Sequence, residues 1–155
     1  MQITRWTWTP LLSLWLGLAP MAWADSYRGP KPLALYTEEC GSCHLAFPAP
    51  LLPKASWHRL LMGLDHHYGS NASLDPQTRQ AIDTWLQAYG GEGKRAREVP
   101  PDDRITRASW FERKHRRVTQ ATWSRPSIQS PANCAACHPD AAAGDFEDDD
   151  VSIPK

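Results

Sequence analysis

Apolar residues recur along this chain at helical spacing, not in the alternation that a half-buried strand requires. Trp57, Leu60, Leu61 and Leu64 fall at i, i+3, i+4 and i+7, one stripe of a helix whose N-cap is predicted at Ser56. Ile82, Trp85, Leu86 and Tyr89 form a second stripe, opened by Asp75-Pro76 and stopped by Gly90-Gly91. A third helix is predicted from a Thr106 cap through Trp110 and Phe111 towards Val118, and a short one from Tyr36 to Cys43. The three prolines of Phe47 to Pro53 forbid a regular helix and predict a loop lining a cofactor edge. Gly91 to Asp103 is polar, with Pro100-Pro101, and reads as a linker; Ser127 to Asn133 is another turn segment. The fold class expected is mostly α.

The N-terminus follows a different pattern. Met1 to Ala24 carries one basic residue, Arg5, then an apolar run from Leu11 to Ala19, and closes on Ala22-Trp23-Ala24. That is a secretory leader with an A-x-A cleavage site, predicting export to the periplasm and a mature chain from Asp25. A membrane span needs about 20 predominantly apolar residues, roughly twice this run. Removing Arg5 leaves 16 Lys+Arg against 17 Asp+Glu, a near-neutral balance that argues against a general nucleic-acid or membrane-surface binder. The charge is unevenly placed: Lys94 to Arg117 holds nine basic and four acidic residues, and Asp140 to Asp150 holds six acidic and no basic ones. Such blocks are solvated faces or partner-steering surfaces.

All four cysteines belong to two pentapeptides, Cys40-Gly41-Ser42-Cys43-His44 and Cys134-Ala135-Ala136-Cys137-His138. This is the C-x-x-C-H pattern for covalent haem c. Thiols at i and i+3 on one turn can add to the two vinyl groups of one porphyrin, and the next residue is aimed at its iron. A zinc ribbon spaces its pairs by about 15–20 residues, whereas Cys43 and Cys134 are separated by most of the chain. A thioredoxin-like pair needs a βαβ surround, and a disulfide framework gives no reason for a histidine after both pairs. Two covalently attached haems are therefore expected, in units spanning residues 25–92 and 93–155. Each unit is small enough that a side-chain core alone is marginal, so the haem-free chain is expected to fold poorly.

The motif assigns His44 and His138 as proximal ligands. His58, His66, His67, His115 and Met62 remain as candidates for the far sides. With about 100° per residue, a helix that continued from Trp57 would place His67 at the edge of the apolar stripe, His66 opposite it and Met62 on the polar side. The same wheel on the third helix groups Ala108, Phe111, His115 and Val118 against Glu112, Arg113, Arg116 and Arg117. His115 is then the one titratable group on an apolar face.

These residues resemble a known family, the periplasmic dihaem cytochromes c. The marks are Glu39 to His44, Leu51-Leu52-Pro53, Ser56-Trp57, His67-Tyr68-Gly69 and Asn71-Ala72-Ser73-Leu74. They continue through Arg104-Ile105-Thr106, Trp110 to His115, Asn133 to His138, Gly144-Asp145-Phe146 and Val151 to Pro154. The resemblance implies two bis-histidine haems, a first unit similar to class I cytochrome c and a smaller second unit. It also implies transfer of electrons to an oxygen-binding monohaem cytochrome and a link to membrane b-type cytochromes. The family's histidine before an aromatic and a glycine matches His67, and the one after Arg-Lys matches His115. This chain departs in carrying His66 beside His67 and in the weight of its Asp148-Asp149-Asp150 run.

The function expected is electron transfer without substrate chemistry, since six-coordinate haems leave no open iron position. A peroxidase-like dihaem enzyme needs a five-coordinate haem and distal acid–base groups, for which the chain shows no spare set. A haem-based sensor or structural subunit is the remaining alternative.

Overall fold

The computed structural model describes residues 31–155. The expected leader, Met1 to Ala24, lies outside the described residues. Among those described, helices α1 (Ala34–Gly41), α2 (Lys54–Met62), α3 (Pro76–Tyr89), α4 (Ser109–Lys114) and α5 (Gln120–Trp123) are joined by short 3₁₀ turns, with no named strand. None of these helices is long and apolar enough to cross a membrane.

Helix α3 keeps both of its predicted ends. Asp75 caps it by accepting the main-chain N–H groups of Gln77 and Thr78, each at 3.0 Å, and Pro76 fills the first helical position. Its apolar stripe buries Ile82 and Leu86 fully, with Trp85 half-buried and Tyr89 at the rim. The helix stops at Gly90-Gly91, where another chain segment passes close by. A Cβ on Gly91 would lie 2.7 Å from Ala96 Cβ and 2.8 Å from the Pro50 carbonyl, and its N–H donates to Leu52 O at 2.7 Å.

Helix α2 packs along α3 and begins three residues earlier than expected. Its N-cap is Pro53, whose carbonyl accepts from both Ser56 and Trp57. Ser56 is therefore not the cap. It lies inside the first turn, completely buried, and accepts from the Arg59 guanidinium at 3.3 Å. The helix also ends early, at Met62 with Gly63 beyond it, so the wheel that placed His67 does not reach that residue. Leu64–His66 is a 3₁₀ turn, and the following hairpin-like turn (Ser70 N–H to His67 O, 3.0 Å) carries His67.

The third predicted helix is also broken. Thr106 caps nothing; it lies in a 3₁₀ turn, Ile105–Arg107, that presses Ile105 into the core. Extended Ala108 starts α4, which closes at His115, and Thr119 caps α5 through the Thr122 N–H at 3.2 Å. The stretch read as a linker is packed as well, with Pro100 fully buried. One apolar core runs from Tyr36 and Leu52 through Trp57, Ile82 and Leu86 to Ile105 and Phe111.

Candidate functional site

The first pentapeptide straddles the end of α1. Cys40 is in its last turn, and Ser42 continues in helical geometry, its hydroxyl donating to Glu39 O at 2.9 Å. Cys43 and His44 then face a cavity of about 560 Å³, of the size that takes an organic cofactor. Its apolar wall includes Tyr36, Leu52, Trp57, Leu61 and Leu86. On the opposite side stands His67, its ring centre 6.2 Å from that of His44 with the planes 20° apart. Phe47, from the proline-rich loop, stacks on His44 at 5.0 Å and lines the cavity, as that loop was expected to.

The two rings are prepared differently. His44 Nδ1–H donates to the Leu45 carbonyl at 2.7 Å, which leaves Nε2 with its lone pair. His67 Nδ1 is buried and has no hydrogen-bond partner among the described residues. Burial first, and then the neighbouring His44 and Arg104 charges, push the His67 imidazole down towards its neutral form. His66 points away, its side chain 88% exposed beside Asp65. His58 pairs with Asp83, and Met62 is exposed, taking a contact from Arg79 on its sulfur. Neither lines the cavity.

The second pentapeptide forms a 3₁₀ turn, Cys134–Ala136, in which Cys134 O accepts from both Cys137 and His138 main-chain N–H groups. His138 faces His115 at 6.3 Å between ring centres, here with the planes 76° apart. The Phe111 carbonyl takes both the main-chain N–H and the Nδ1–H of His115, each at 2.9 Å. These two hydrogen bonds to one carbonyl close α4 and fix the ring. Phe111 stacks on His115 at 4.0 Å, Trp123 lies 5.8 Å away, and Phe146 packs on His138 at 5.4 Å. Burial and the adjacent His115 push His138 towards its neutral form. The C-terminal tail folds back here, with Ser152 N–H donating to Cys137 O at 2.9 Å.

Both sites fit the group that the pentapeptides imply. A metal–imidazole nitrogen bond is about 2 Å, and the ring centre lies roughly 1.1 Å beyond the nitrogen, so rings either side of one iron stand ~6.3 Å apart. Both pairs meet that separation. The cysteines are not joined in disulfides. Burial pushes the Cys40 and Cys134 thiols up to about 11, the reverse of the lowered value that a thioredoxin-like nucleophile needs.

Sequence reasoning missed part of the first wall. Asp103, Arg104, Ile105 and Thr106 line that cavity although they lie far along the chain, as does Ala132. The available signal was Pro100-Pro101-Asp102-Asp103, a turn whose aspartates tolerate the left-handed backbone found there (φ 56° and 53°).

The dihaem cytochrome c family matches residues 36–146. The diheme cytochrome type c of Shewanella baltica OS155 is similar, with 38% identity and a TM-score of 0.69, over 78% of this chain and 92% of that one. DHC from Rhodobacter sphaeroides is similar at 38% identity and TM-score 0.66, covering 75% and 98% of the two chains. A second structure of diheme cytochrome c from that organism gives 36% identity and 0.67, over 76% and 99%. None of the curated proteins compared matches. The family match takes in both pentapeptides and all four facing imidazoles, and the chain belongs to the dihaem cytochrome c family.

Proposed function

We propose that this protein is a periplasmic electron carrier with two bis-histidine haems. In this reading His44 and His67 ligate the first iron, and His138 and His115 the second. Cys40 and Cys43 attach the first porphyrin, and Cys134 and Cys137 the second. The observation that carries it is the pair of facing imidazoles at each site, 6.2 and 6.3 Å between ring centres. The haem units are residues 25–92 and 93–155, the second also lending residues 103–106 to the first cavity.

When bound, each haem supplies a one-electron couple at its iron. The chain's own part is to hold and to shield. The Leu45 and Phe111 carbonyls fix the tautomers of His44 and His115, so that each presents Nε2 inward. Burial favours the neutral form of His67 and His138, the form that a ligand needs. Aromatic rings pack against each imidazole and oppose its swinging away. With a histidine on both sides, no coordination position is open to a substrate, which supports outer-sphere transfer over catalysis. Cys43 and His44 are exposed, so the mouth of the first cavity offers an edge to a partner. The partner class is other redox proteins: an oxygen-binding monohaem cytochrome and a membrane b-type cytochrome, as family resemblance implies.

Ligand substitution tests this reading. His67→Ala and His115→Ala should each convert one haem to five-coordinate, visible by EPR and resonance Raman, and each should admit carbon monoxide at that haem alone. His66→Ala should leave both haems low-spin. The reduced native protein should bind carbon monoxide poorly. Rapid stoichiometric binding to either native haem would favour the enzyme or sensor alternatives.

A further inference from the structure

We propose that Arg104 anchors a carboxylate at the first site: its guanidinium, laid on the Tyr68 ring at the cavity wall, binds a propionate group of the porphyrin held there. This rests on the two-haem reading above and assigns that site a recognition residue. Arg104 is the one Lys or Arg side chain on that wall among the described residues. Its Cζ lies 3.8 Å from the Tyr68 ring centre. Stacked in this way, the planar fork keeps its N–H edge free, and among the described residues that edge donates to no protein acceptor.

The acids beside it are already taken. Asp103 receives Arg59 Nε at 2.9 Å and Nη2 at 2.6 Å, and Asp102 receives Arg107 at 2.6 Å. The other carboxylate on the wall, Glu39, belongs to α1. An arginine close to the His67 imidazole, with no acceptor of its own among the described residues, leaves a positive site that a carboxylate completes in a forked geometry.

The local backbone is held in costly conformations to keep this arrangement. Tyr68, Asp102 and Asp103 all have positive φ (50°, 56° and 53°), and for a residue as bulky as Tyr68 that is a genuine outlier. The two strained turns clasp each other: Tyr68 Oη–H donates to Asp102 O at 2.8 Å. The same Tyr68 ring packs on His67 at 4.8 Å. Strain of this kind persists where surrounding contacts over-determine it, and it clusters at ligand clamps.

The experiment compares wild-type holo-protein with Arg104→Gln and Arg104→Lys. Haem content and the count of low-spin haems test the two-haem reading separately and should not change. In Arg104→Gln the propionate bending band of one haem should shift in the resonance Raman spectrum. The midpoint potential of that haem should fall, because an uncompensated carboxylate favours ferric iron, while the other haem stays put as an internal control. Arg104→Lys keeps the charge without the fork, so it should shift the band and hold most of the potential. An unmoved band in Arg104→Gln overturns the proposal, even if the potential falls, since Arg104 would then act only as a distant charge. Should Arg104→Gln fail to fold, the band in Arg104→Lys decides in the same way.

Discussion

Asp103 illustrates how much a single residue supports near the first site. Its φ of 53° turns the chain towards the cavity, and its carboxylate ties that turn to α2 through Arg59. The Arg59 hydrogen bond holds the Asp103 carboxyl below the ordinary carboxylate range, against the opposing effect of burial. A folded value below the unfolded one, about 3.9, makes the sign of the pH effect definite. The stabilisation is complete above the unfolded value and is lost as pH falls through the folded one. Asp103→Asn should therefore unfold at a lower temperature than wild type at neutral pH, and the two should converge in acid. Melting curves across pH 2–7, followed by circular dichroism, check this; a constant gap at all pH values would contradict it. The ligand histidines show a related limit of sequence reading. The helical wheel reaches His67 only if α2 continues, and α2 ends five residues before it, at Met62, which leaves the resemblance of His67-Tyr68-Gly69 as the signal in the sequence. His67 nevertheless stands opposite His44, brought there by a 3₁₀ turn and a tight turn that no periodicity announces.

Among the elements, α3 was legible in full because its signals are local: an aspartate cap, a proline after it, an apolar stripe and two glycines. The starts of α2 and of the third helix were not, because a serine or threonine ahead of a stripe is a cap only if the chain turns there. Pro53 had already set α2 in motion, which left Ser56 to be buried. Ile105 had a core position to fill, which drew the chain out of helix before Ala108. The cavity wall at residues 103–106 depends on contacts between distant segments, which no window of sequence contains. The glycines at the end of α3 show the same division. The stop was readable; its cause, the close passage of the Pro50–Leu52 segment and Ala96, was not. Gly91→Ala should destabilise the protein by about 1–3 kcal/mol, as overpacking does, since two of the atoms its Cβ would meet are main-chain oxygens. Gly93→Ala, with nothing within 4 Å of the added carbon, should be near neutral. Chemical denaturation of both variants separates a tight passage from a general cost of losing glycine.

For the whole molecule, a near-zero net charge conceals a strong asymmetry. Arg113, Lys114, Arg116 and Arg117 surround the His115 turn on the outside, and the Asp148–Asp150 run lies within reach of it through the Lys114–Asp148 contact at 3.3 Å. Both members of that pair are exposed, so it contributes little stability, and the acids act chiefly through their field. Replacing Asp148, Asp149 and Asp150 by asparagine should slow oxidation by a cationic reagent such as tris-phenanthroline cobalt(III) and speed it by anionic ferricyanide. Both effects should fade with added salt, as the screening length shrinks below about 8–10 Å. Stopped-flow rates unaffected by the substitutions would show that electrons leave elsewhere. The wall shared across the chain also bears on how the protein is made. Synthesis runs from the N-terminus, so Cys40 and Cys43 exist before residues 103–106 and Ala132 can close the far side of their cavity. The first attachment motif is thus open to solution until that later segment has packed against it, so a porphyrin can enter from the side that residues 103–106 finally close.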